Sequence, residues 1–440
     1  MPPASSLARL LARVGLVTPE QRAWAWYDSG NSAFFTTIVT AVFPSFFALY
    51  AAAGMEGPQV TARYGAITTV AMVVIAVMAP ILGALADYAA ARKRLLVVFM
   101  MVGVAACVAM TTITEGAWRW AAALFIIGNI GVSGSLVFYD SLLLHVARPE
   151  ETDRVSTAGY AIGYLGGGAL LVLNLAWIVQ PAMFGFSSTT AATKAAFVSV
   201  GLWWMLFSIP LLRRVSEPPR RLQKAEHGSE MPLLAAFERL RRTFREIRGY
   251  RQAFLLLLAM LVYQDGIQTI IRMAAVYGTE LGIGQTAQIA AFAAVQFLGV
   301  PFSFLFGSLG TRIGTKRAIF ISLAVYALAS LLGFFMTTAV HFFILAGLIA
   351  TVQGGSQALS RSLFARLIPP SEASEYFGFY AVAERFATIL GPAVFTLIVI
   401  VTGSSRDAVL AIIPFFVVGA ALLSLVDVKE GERAARCGAQ

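Results

Sequence analysis

Runs of about 20 predominantly apolar residues recur along almost the whole of this 440-residue chain. A helix of that length crosses the roughly 30 Å hydrocarbon core of a bilayer, and it satisfies its own backbone hydrogen bonds there. Since 58% of the residues are hydrophobic and 13% are charged, the chain is too apolar for a soluble domain. The sequence therefore predicts an all-α membrane protein. Its twelve transmembrane helices are placed at 25–50, 61–86, 95–114, 118–145, 156–180, 195–213, 251–277, 286–310, 317–338, 340–366, 376–402 and 407–427.

The basic residues alternate between loops, which predicts the orientation of the chain. Most of the 33 Lys and Arg residues fall in every second loop and in the two termini. Four fall in the opposite loops: Arg63, Arg119, Lys194 and Arg406. Because cytoplasmic loops carry the excess of Lys and Arg, both termini are expected in the cytoplasm. The abundance of Arg over Lys and of Ala is typical of a GC-rich bacterial genome, so the expected location is a bacterial cytoplasmic (inner) membrane. The basic loops account for the net charge of +10, which is therefore not a sign of nucleic-acid binding.

A polar linker divides the chain into two parts of six helices each. The predicted domains are an N-terminal half at 1–213, a cytoplasmic linker at 214–250, and a C-terminal half with a short cytoplasmic tail at 251–440. Within the linker, MPLLAAFERLRRTFREIRGY places apolar residues at helical spacing and arginines elsewhere. This pattern predicts an amphipathic helix lying on the anionic inner leaflet. A helix that binds a protein partner is the alternative.

The two halves repeat each other. GALADYAAARKR at 83–94 resembles GSLGTRIGTKR at 307–317, and GSLVFYDSLLLHVARPEE at 134–151 resembles GSQALSRSLFARLIPPSE at 355–372. Transporters build a central site where two such repeats meet. The second pairing sets Asp140 opposite Arg361, so these charges could form a cytoplasmic gate. Ion pairs within each half are the alternative.

The loop containing Gly83, Asp87 and Arg92 resembles the signature loop of the major facilitator superfamily. Four segments resemble the vacuole effluxer-like branch, which is related to the autophagy-linked vacuolar amino-acid exporter. They are YDSGNSAF (27–34), FYDSLLLHVA (138–147), GYAIGYLGGG (159–168) and EYFGFYAVAERFATILGP (375–392). The resemblance implies the major facilitator fold, two pseudo-symmetric six-helix halves, in a monomeric secondary transporter. It also implies a lock in which Asp87 holds the start of helix 11.

Helix 1 carries a charge into a membrane-length segment. Asp28 is followed at i+4 intervals by Ser32, Thr36 and Thr40, with Asn31 beside them, so a polar stripe is expected along one face. An intramembrane charge usually faces a water-filled cavity or a partner. Asp28 is therefore a candidate for substrate or proton coupling, and solvation near the cytoplasmic interface is the alternative.

Helix 7 repeats this theme and adds a cation. Asp265, Gln268, Thr269 and Arg272 share one helix face. In the family that the chain resembles, helices 1 and 7 line the central cavity. A carboxylate and a guanidinium about 10 Å apart could hold the two ends of a zwitterion. Pairing of each residue with a neighbouring helix is the alternative.

Three further sets of residues are candidates. Gln353 and Gln357 lie on one stripe of helix 10 with Arg361, and Glu384 and Arg385 are adjacent on helix 11, before a kink expected at Gly391-Pro392. Interhelical polar packing is the alternative for both helices. Small residues at i+4 spacing predict a close-packing seam on helix 5: Gly159, Gly163 and Gly167. Their segment approximates the superfamily's antiporter signature, with Tyr164 in place of its proline.

These features predict a secondary active transporter that moves a small polar solute by alternating access. Amino acids are the first substrate class, and export by antiport is one direction. Proton coupling is the default hypothesis, because burial disfavours the charged form of Asp28, Asp265 and Glu384. Drugs, sugars and organic anions are alternative substrates, and a regulatory or lipid-handling protein is the alternative class. The three histidines lie in different loops or helix ends, so the sequence predicts neither a metal site nor a catalytic triad. Cys107 lies within a helix and Cys437 in the tail, so no disulfide is expected. The chain is therefore not expected to be an enzyme or to hold a cofactor.

Overall fold

The computed structural model describes residues 16–437, apart from eight gaps. The gaps are 89–91, 149–150, 218–240, 243, 370–375, 377–378, 381–382 and 385. For some helical residues, Gly83 and Asp87 among them, it describes the backbone without the side chain.

Thirteen long helices are described in this part of the chain, and the first twelve correspond in order to the predicted spans. Their bounds are Pro19–Ala51 (α1), Gly57–Tyr88 (α2), Arg92–Ala109 (α3), Trp118–Val146 (α4), Thr152–Val179 (α5), Thr189–Arg214 (α6), Arg251–Glu280 (α7), Gln285–Ile313 (α8), Thr315–Phe334 (α9), Ala339–Arg366 (α10), Leu390–Thr402 (α11), Ser405–Ser424 (α12) and Val428–Cys437 (α13). Among the described residues, ten of them are long and apolar enough to cross a membrane, and α11 is a shorter apolar helix. The all-helical membrane architecture is confirmed.

The chain forms two compact units that do not coincide with the predicted halves. Unit 1 contains residues 1–46 and 81–233, and unit 2 contains residues 47–80 and 234–440. The C-terminal end of α1 and most of α2 therefore belong to unit 2. The division of the sequence into two halves of six helices stays a prediction about the repeats.

The first helix begins with a capping box and then widens. Thr18 accepts a hydrogen bond from the Gln21 backbone, while the Gln21 side chain accepts from the Thr18 backbone. From Phe34–Ala41, and again from Phe47–Ala51, the backbone is a π-helix with i to i+5 hydrogen bonds. Each π-turn adds a residue, so a face followed at i+4 from Asp28 drifts beyond Thr36.

In unit 1, Lys93 fastens α3 to the end of α6. Its ammonium group donates to the backbone carbonyls of Leu212, at 2.9 Å, and Val215, at 2.6 Å. The backbone N–H of Lys93 also donates to the Glu217 carboxylate, at 3.0 Å. A cation at a helix C-terminus satisfies orphan carbonyls and complements the helix dipole.

In unit 2, Lys316 makes the equivalent connection between α9 and α12. It donates to the carbonyls of Ser424, at 2.9 Å, and Val426, at 2.7 Å. The sequence analysis explained these lysines by topology and by the repeat, and it did not predict that each one caps a helix of its own unit.

The tail also folds onto unit 2, as the helix α13. Gln252 at the start of α7 donates to the Glu430 carboxylate, at 2.6 Å, and accepts from the backbone N–H of Asp427, at 2.8 Å. Asp427 in turn accepts from the backbone N–H of Glu430, which holds the pKa of Asp427 below its usual value. Ala435 is buried, so α13 is docked along its length.

The linker is described only at its end. The predicted amphipathic segment lies mostly outside the described residues, but 244–247 are helical and Ile247 is buried. Phe244 packs against Phe254 and Phe379, and the Arg248 guanidinium lies 4.3 Å from the centre of the Phe244 ring. This end of the linker contacts protein in unit 2, and an arginine covers one of its aromatic rings.

The kink expected at Gly391-Pro392 is a full break in the chain's eleventh span. Residues 387–389 are not helical, and Ile389 is the N-cap of α11. Pro392 explains the break, because a proline ring clashes with the carbonyl four residues earlier and is tolerated only in the first turn of a helix. The break creates a helix N-terminus within the span.

Candidate functional site

In unit 1, Asp28 lies buried between α1 and α5. Only 8% of the residue is exposed, and its carboxylate accepts a 3.2 Å hydrogen bond from the Asn31 side chain. No basic side chain is recorded as its ion-pair partner in the described part of the chain. A carboxylate in this setting is a candidate for taking up and releasing a proton.

The glycines of α5 let that helix approach the polar face of α1. A Cβ added to Gly163 would lie 2.6 Å from Ser32 Oγ and 3.2 Å from Asp28 Cγ. A Cβ added to Gly159 would lie 2.7 Å from the Trp24 ring. The glycine seam predicted from sequence thus faces α1 in the same unit. A side chain in place of either glycine would press against side chains of α1, which would have to shift.

Aromatic residues join this part of α1 to α4. The Trp24 ring stacks on Tyr139, with ring centres 4.4 Å apart, and its indole N–H donates to the Tyr139 carbonyl at 3.1 Å. Tyr27 also packs against Tyr139, with ring centres 4.7 Å apart. Asp140, the predicted gate residue, follows directly and is exposed.

In unit 2, Asp265 faces the broken helix. It is 1% exposed, and its carboxylate lies beside the backbone N–H groups of Leu390 and Gly391. A Cβ at Gly391 would lie 2.8 Å from Asp265 Oδ1, so only glycine allows this approach. Thr269 donates to the Asp265 carbonyl at 2.7 Å. A helix N-terminus favours an anion, so the break in α11 places favourable electrostatics beside this buried carboxylate, whose Oδ1 atom makes no hydrogen bond within the described residues.

Arg272, two turns further along α7, has a different environment. It is 8% exposed, and its Nε and Nη1 atoms make no hydrogen bond within the described residues. The recorded electrostatic neighbour is Tyr64, a fully buried residue of α2. Asp265 and Arg272 thus lie on one helix, but their surroundings differ.

The other predicted residues of unit 2 are placed less uniformly. Gln268, Gln353 and Gln357 are half-buried, and Arg361 is exposed. Glu384 is half-buried near Tyr263, whose hydroxyl lies 2.6 Å from Ser360 Oγ.

Some predicted residues remain outside the described side chains. They are Gly83, Asp87 and Arg385. Arg92 is described, and one of its guanidinium nitrogens lies 3.5 Å from the Ser141 carbonyl. The lock attributed to Asp87 stays a prediction.

Sequence reasoning missed Glu280 at the end of α7. Its carboxylate accepts hydrogen bonds from the hydroxyls of Thr61 on α2 and Ser405 on α12, the latter at 2.5 Å. Both donors are buried. Because Glu280 ends an apolar span where charged residues are common, hydropathy gave no signal for this junction. Tyr64 was missed for a similar reason, since a single tyrosine in an apolar span has many roles.

Metal chemistry finds no support in this part of the molecule. No group of three or more His, Cys, Asp or Glu side chains among the described residues could hold a metal ion.

Comparisons with known proteins agree with this architecture. A family model described as "Vacuole effluxer Atg22 like" matches residues 18–436. The chain belongs to this family. It is also 36% identical over 411 residues to the uncharacterized MFS-type transporter YxiO of Bacillus subtilis (strain 168), covering 93% of this chain and 95% of that one.

More distant relatives of this Atg22-like chain are fungal. Autophagy-related protein 22 of Yarrowia lipolytica is 26% identical over 318 residues, which cover 66% of this chain. The chain spans about half the length of that fungal protein (52%).

Solved structures show the fold. The bacterial homolog of the human lysosomal transporter Spinster, in an inward-facing and unoccupied conformation, matches 98% of this chain and 99% of its own, with a TM-score of 0.64 and 16% identity. A point mutant of the nucleoside transporter NupG matches 93% of this chain and 100% of its own, with a TM-score of 0.67, also at 16% identity. The Atg22-like chain is thus a multi-pass membrane transporter with the major facilitator fold.

Proposed function

We propose that this transporter moves a small polar metabolite, with amino acids as the first class to test, across a bacterial inner membrane by alternating access. Both termini lie in the cytoplasm in this proposal. The observation that carries it is the pair of buried, oppositely charged groups on one face of α7, Asp265 and Arg272. Intramembrane charges are costly to keep and mark substrate or ion pathways.

Proton coupling forms the second part of the proposal. Asp28 and Asp265 are buried carboxylates, and neither has a basic side chain recorded as its partner in the described part of the chain. Uptake of a proton by Asp265 would weaken its attraction to the N–H groups at the start of α11. In this proposal, the contact between α7 and the start of α11 loosens when Asp265 is protonated. Exchange of protons for solute gives export.

The test is uptake by proteoliposomes. Purified protein is reconstituted, and accumulation of a labelled amino-acid mixture is measured with and without an imposed pH gradient. Wild type is compared with Asp265→Asn and with a control, Asp407→Asn, which removes a carboxylate at the start of α12.

We expect gradient-driven accumulation in wild type and in Asp407→Asn, and its loss in Asp265→Asn. Full gradient-driven transport by Asp265→Asn would remove that residue from the coupling mechanism. Absence of accumulation in wild type would remove amino acids as the substrate.

A further inference from the structure

Arg272 is a buried cation without an anionic partner in the described part of the chain. No carboxylate is recorded beside it, and its Nε and Nη1 atoms have no acceptor. The electrostatic neighbour of the guanidinium is Tyr64 of α2, which in turn neighbours Thr68, and both of these α2 residues are fully buried. All three residues belong to unit 2. A guanidinium in such a place is expensive, because burying a charge costs several kcal/mol unless hydrogen bonds and an opposite charge compensate it.

The two carboxylates of α7, Asp265 and Glu280, are not recorded as ion-pair partners of Arg272. Asp265 lies beside the backbone N–H groups of Leu390 and Gly391, and the adjacent Gly391 leaves no room for a side chain. The first turn of α11 therefore supplies favourable electrostatics for Asp265. Glu280, the other carboxylate of α7, accepts from Thr61 and Ser405. Glu280 thus has donors of its own, and Asp265 faces a helix N-terminus although its Oδ1 atom makes no hydrogen bond within the described residues. The Nε and Nη1 atoms of Arg272 have neither an acceptor nor a helix terminus of favourable sign recorded near them in the described part of the chain.

A second arginine of the same unit, Arg406, has hydrogen-bond acceptors for its guanidinium group. Arg406 donates to the carbonyl of Phe334, at 2.8 Å, and to that of Met336, at 3.2 Å. Its charge is met by backbone oxygens at the end of α9. The contrast singles out Arg272 as a guanidinium set apart from the chain's own hydrogen-bonding scheme.

We infer that Arg272, with the Tyr64 hydroxyl beside it, is a subsite for the carboxylate of the transported solute, and that an amino group on the solute is not required for binding. This inference rests on the proposed function and narrows it. Guanidinium donors pair strongly with carboxylates, and the Tyr64 hydroxyl can donate a further hydrogen bond to the same group. Because Asp265 already faces the start of α11, it does not act as the site for a substrate ammonium group.

The sequence predicted that Asp265 binds the ammonium group and Arg272 the carboxylate of a zwitterion. The inference keeps only the second contact, between Arg272 and the carboxylate of the solute. Organic acids that lack an amine should then bind as well as the matching amino acids. Amines that lack the carboxylate should not bind.

The experiment measures ligand-induced stabilisation of the detergent-purified full chain. Three matched sets of probes are used: leucine, 4-methylpentanoate and isopentylamine; alanine, propionate and ethylamine; phenylalanine, 3-phenylpropionate and phenethylamine. Inorganic phosphate at matched ionic strength tests whether any anion suffices. The variants are Arg272→Gln, Tyr64→Phe and the control Arg406→Gln.

We expect at least one set in which both carboxylate probes raise the unfolding temperature by about 3 °C or more at saturating concentration, while the amine does not. The shift should vanish in Arg272→Gln, shrink in Tyr64→Phe, and persist in Arg406→Gln. Because Arg272→Gln removes an uncompensated buried charge, it should fold and should raise the ligand-free unfolding temperature.

Three results would overturn the inference. They are equal stabilisation of Arg272→Gln by the acids, stabilisation by the amines alone, and no carboxylate effect in any set, whether or not phosphate stabilises the protein. Acid binding that depends on Arg272, together with no amino-acid transport, would uphold the inference and remove amino acids from the proposed function. Amino-acid transport that survives in Arg272→Gln would uphold the proposed function and remove the subsite.

Discussion

Lys93 and Lys316 hold equivalent positions in the two repeats, because each directs its ammonium group onto two backbone carbonyls at the end of the last membrane helix of its unit. The nitrogen-to-oxygen distances are 2.6 and 2.9 Å for Lys93 and 2.7 and 2.9 Å for Lys316. The equivalence aligns the basic loops at an offset of 223 residues, one fewer than the alignment of the glycines suggests. The repeat is thus visible as a shared capping interaction.

Removing either lysine should loosen the corresponding helix end. Lys93→Ala and Lys316→Ala each delete two charge-assisted hydrogen bonds, and we expect a loss of about 1.5–3 kcal/mol of stability. Thermal unfolding of the purified protein measures this. The neighbouring exposed residues give matched controls, Arg94→Ala and Arg317→Ala, which should change stability by less than about 0.5 kcal/mol. Equal effects from lysine and arginine would argue against the caps.

Because α5 packs closely on α1, we expect that adding one methyl group to a glycine of α5 lowers the stability of the protein. In Gly163→Ala the new Cβ would lie 2.6 Å from Ser32 Oγ and would force the helices apart. We expect a loss of about 1–3 kcal/mol from overpacking, together with reduced transport. Gly347→Ala, in the middle of α10, is the control, since nothing lies within 4 Å of its added Cβ. That change should be neutral or stabilising by about 0.5–1 kcal/mol. If both variants behaved alike, the close approach of α5 to α1 would be in doubt.

The junction at Glu280 should show energetic coupling between its three residues. Glu280→Ala leaves the buried hydroxyls of Thr61 and Ser405 without their acceptor, so we expect a cost of about 2–4 kcal/mol. Double-mutant cycles of Glu280→Ala with Thr61→Ala and with Ser405→Ala measure the pairs separately. Coupling energies near zero in both cycles would show that the carboxylate stabilises neither neighbour.

Docking of α13 should depend on Gln252 more than on the surface ion pair beside it. Gln252 is buried and bonds both Glu430 and the backbone of Asp427. The Arg366–Glu432 pair is partly exposed and 3.6 Å apart, a geometry worth about 0–1 kcal/mol. Hydrogen exchange of residues 428–437 should therefore accelerate at least tenfold in Gln252→Ala and only slightly in Arg366→Ala. The reverse order would show that charge rather than the buried amide holds the tail.

Much of the fold is readable from the sequence because lipid imposes a simple rule. The predicted spans are apolar runs, and most helices follow them closely; α5, for instance, begins at Thr152 and ends at Val179 against the predicted 156–180. The exception is α11, which begins only at Leu390 against the predicted start at 376. The tail helix was missed because its ten residues are polar, and its docking depends on Gln252, which lies 176 residues earlier than Val428 in the chain.

The candidate site was predictable in its residue types but not in its partners. Intramembrane charges identify themselves in an apolar sequence, so Asp28, Asp265 and Arg272 were found. Apart from Asn31, which the sequence already placed beside Asp28, their neighbours are backbone N–H groups, glycine surfaces and a tyrosine, and these carry no charge and no sequence pattern. Gly391-Pro392 indicated a kink in the helix, yet nothing in the sequence stated that the free N–H groups would face Asp265.

The π-helical turns of α1 each leave one residue of slack in the hydrogen-bond ladder of a span from Pro19 to Ala51 that is interrupted only at Val42. Conversion of one such turn to α-helical pairing would turn the residues beyond it by about 100° about the helix axis and leave the residues before it in place. A change of register of one residue would thus redirect the later side chains of α1 without a hinge.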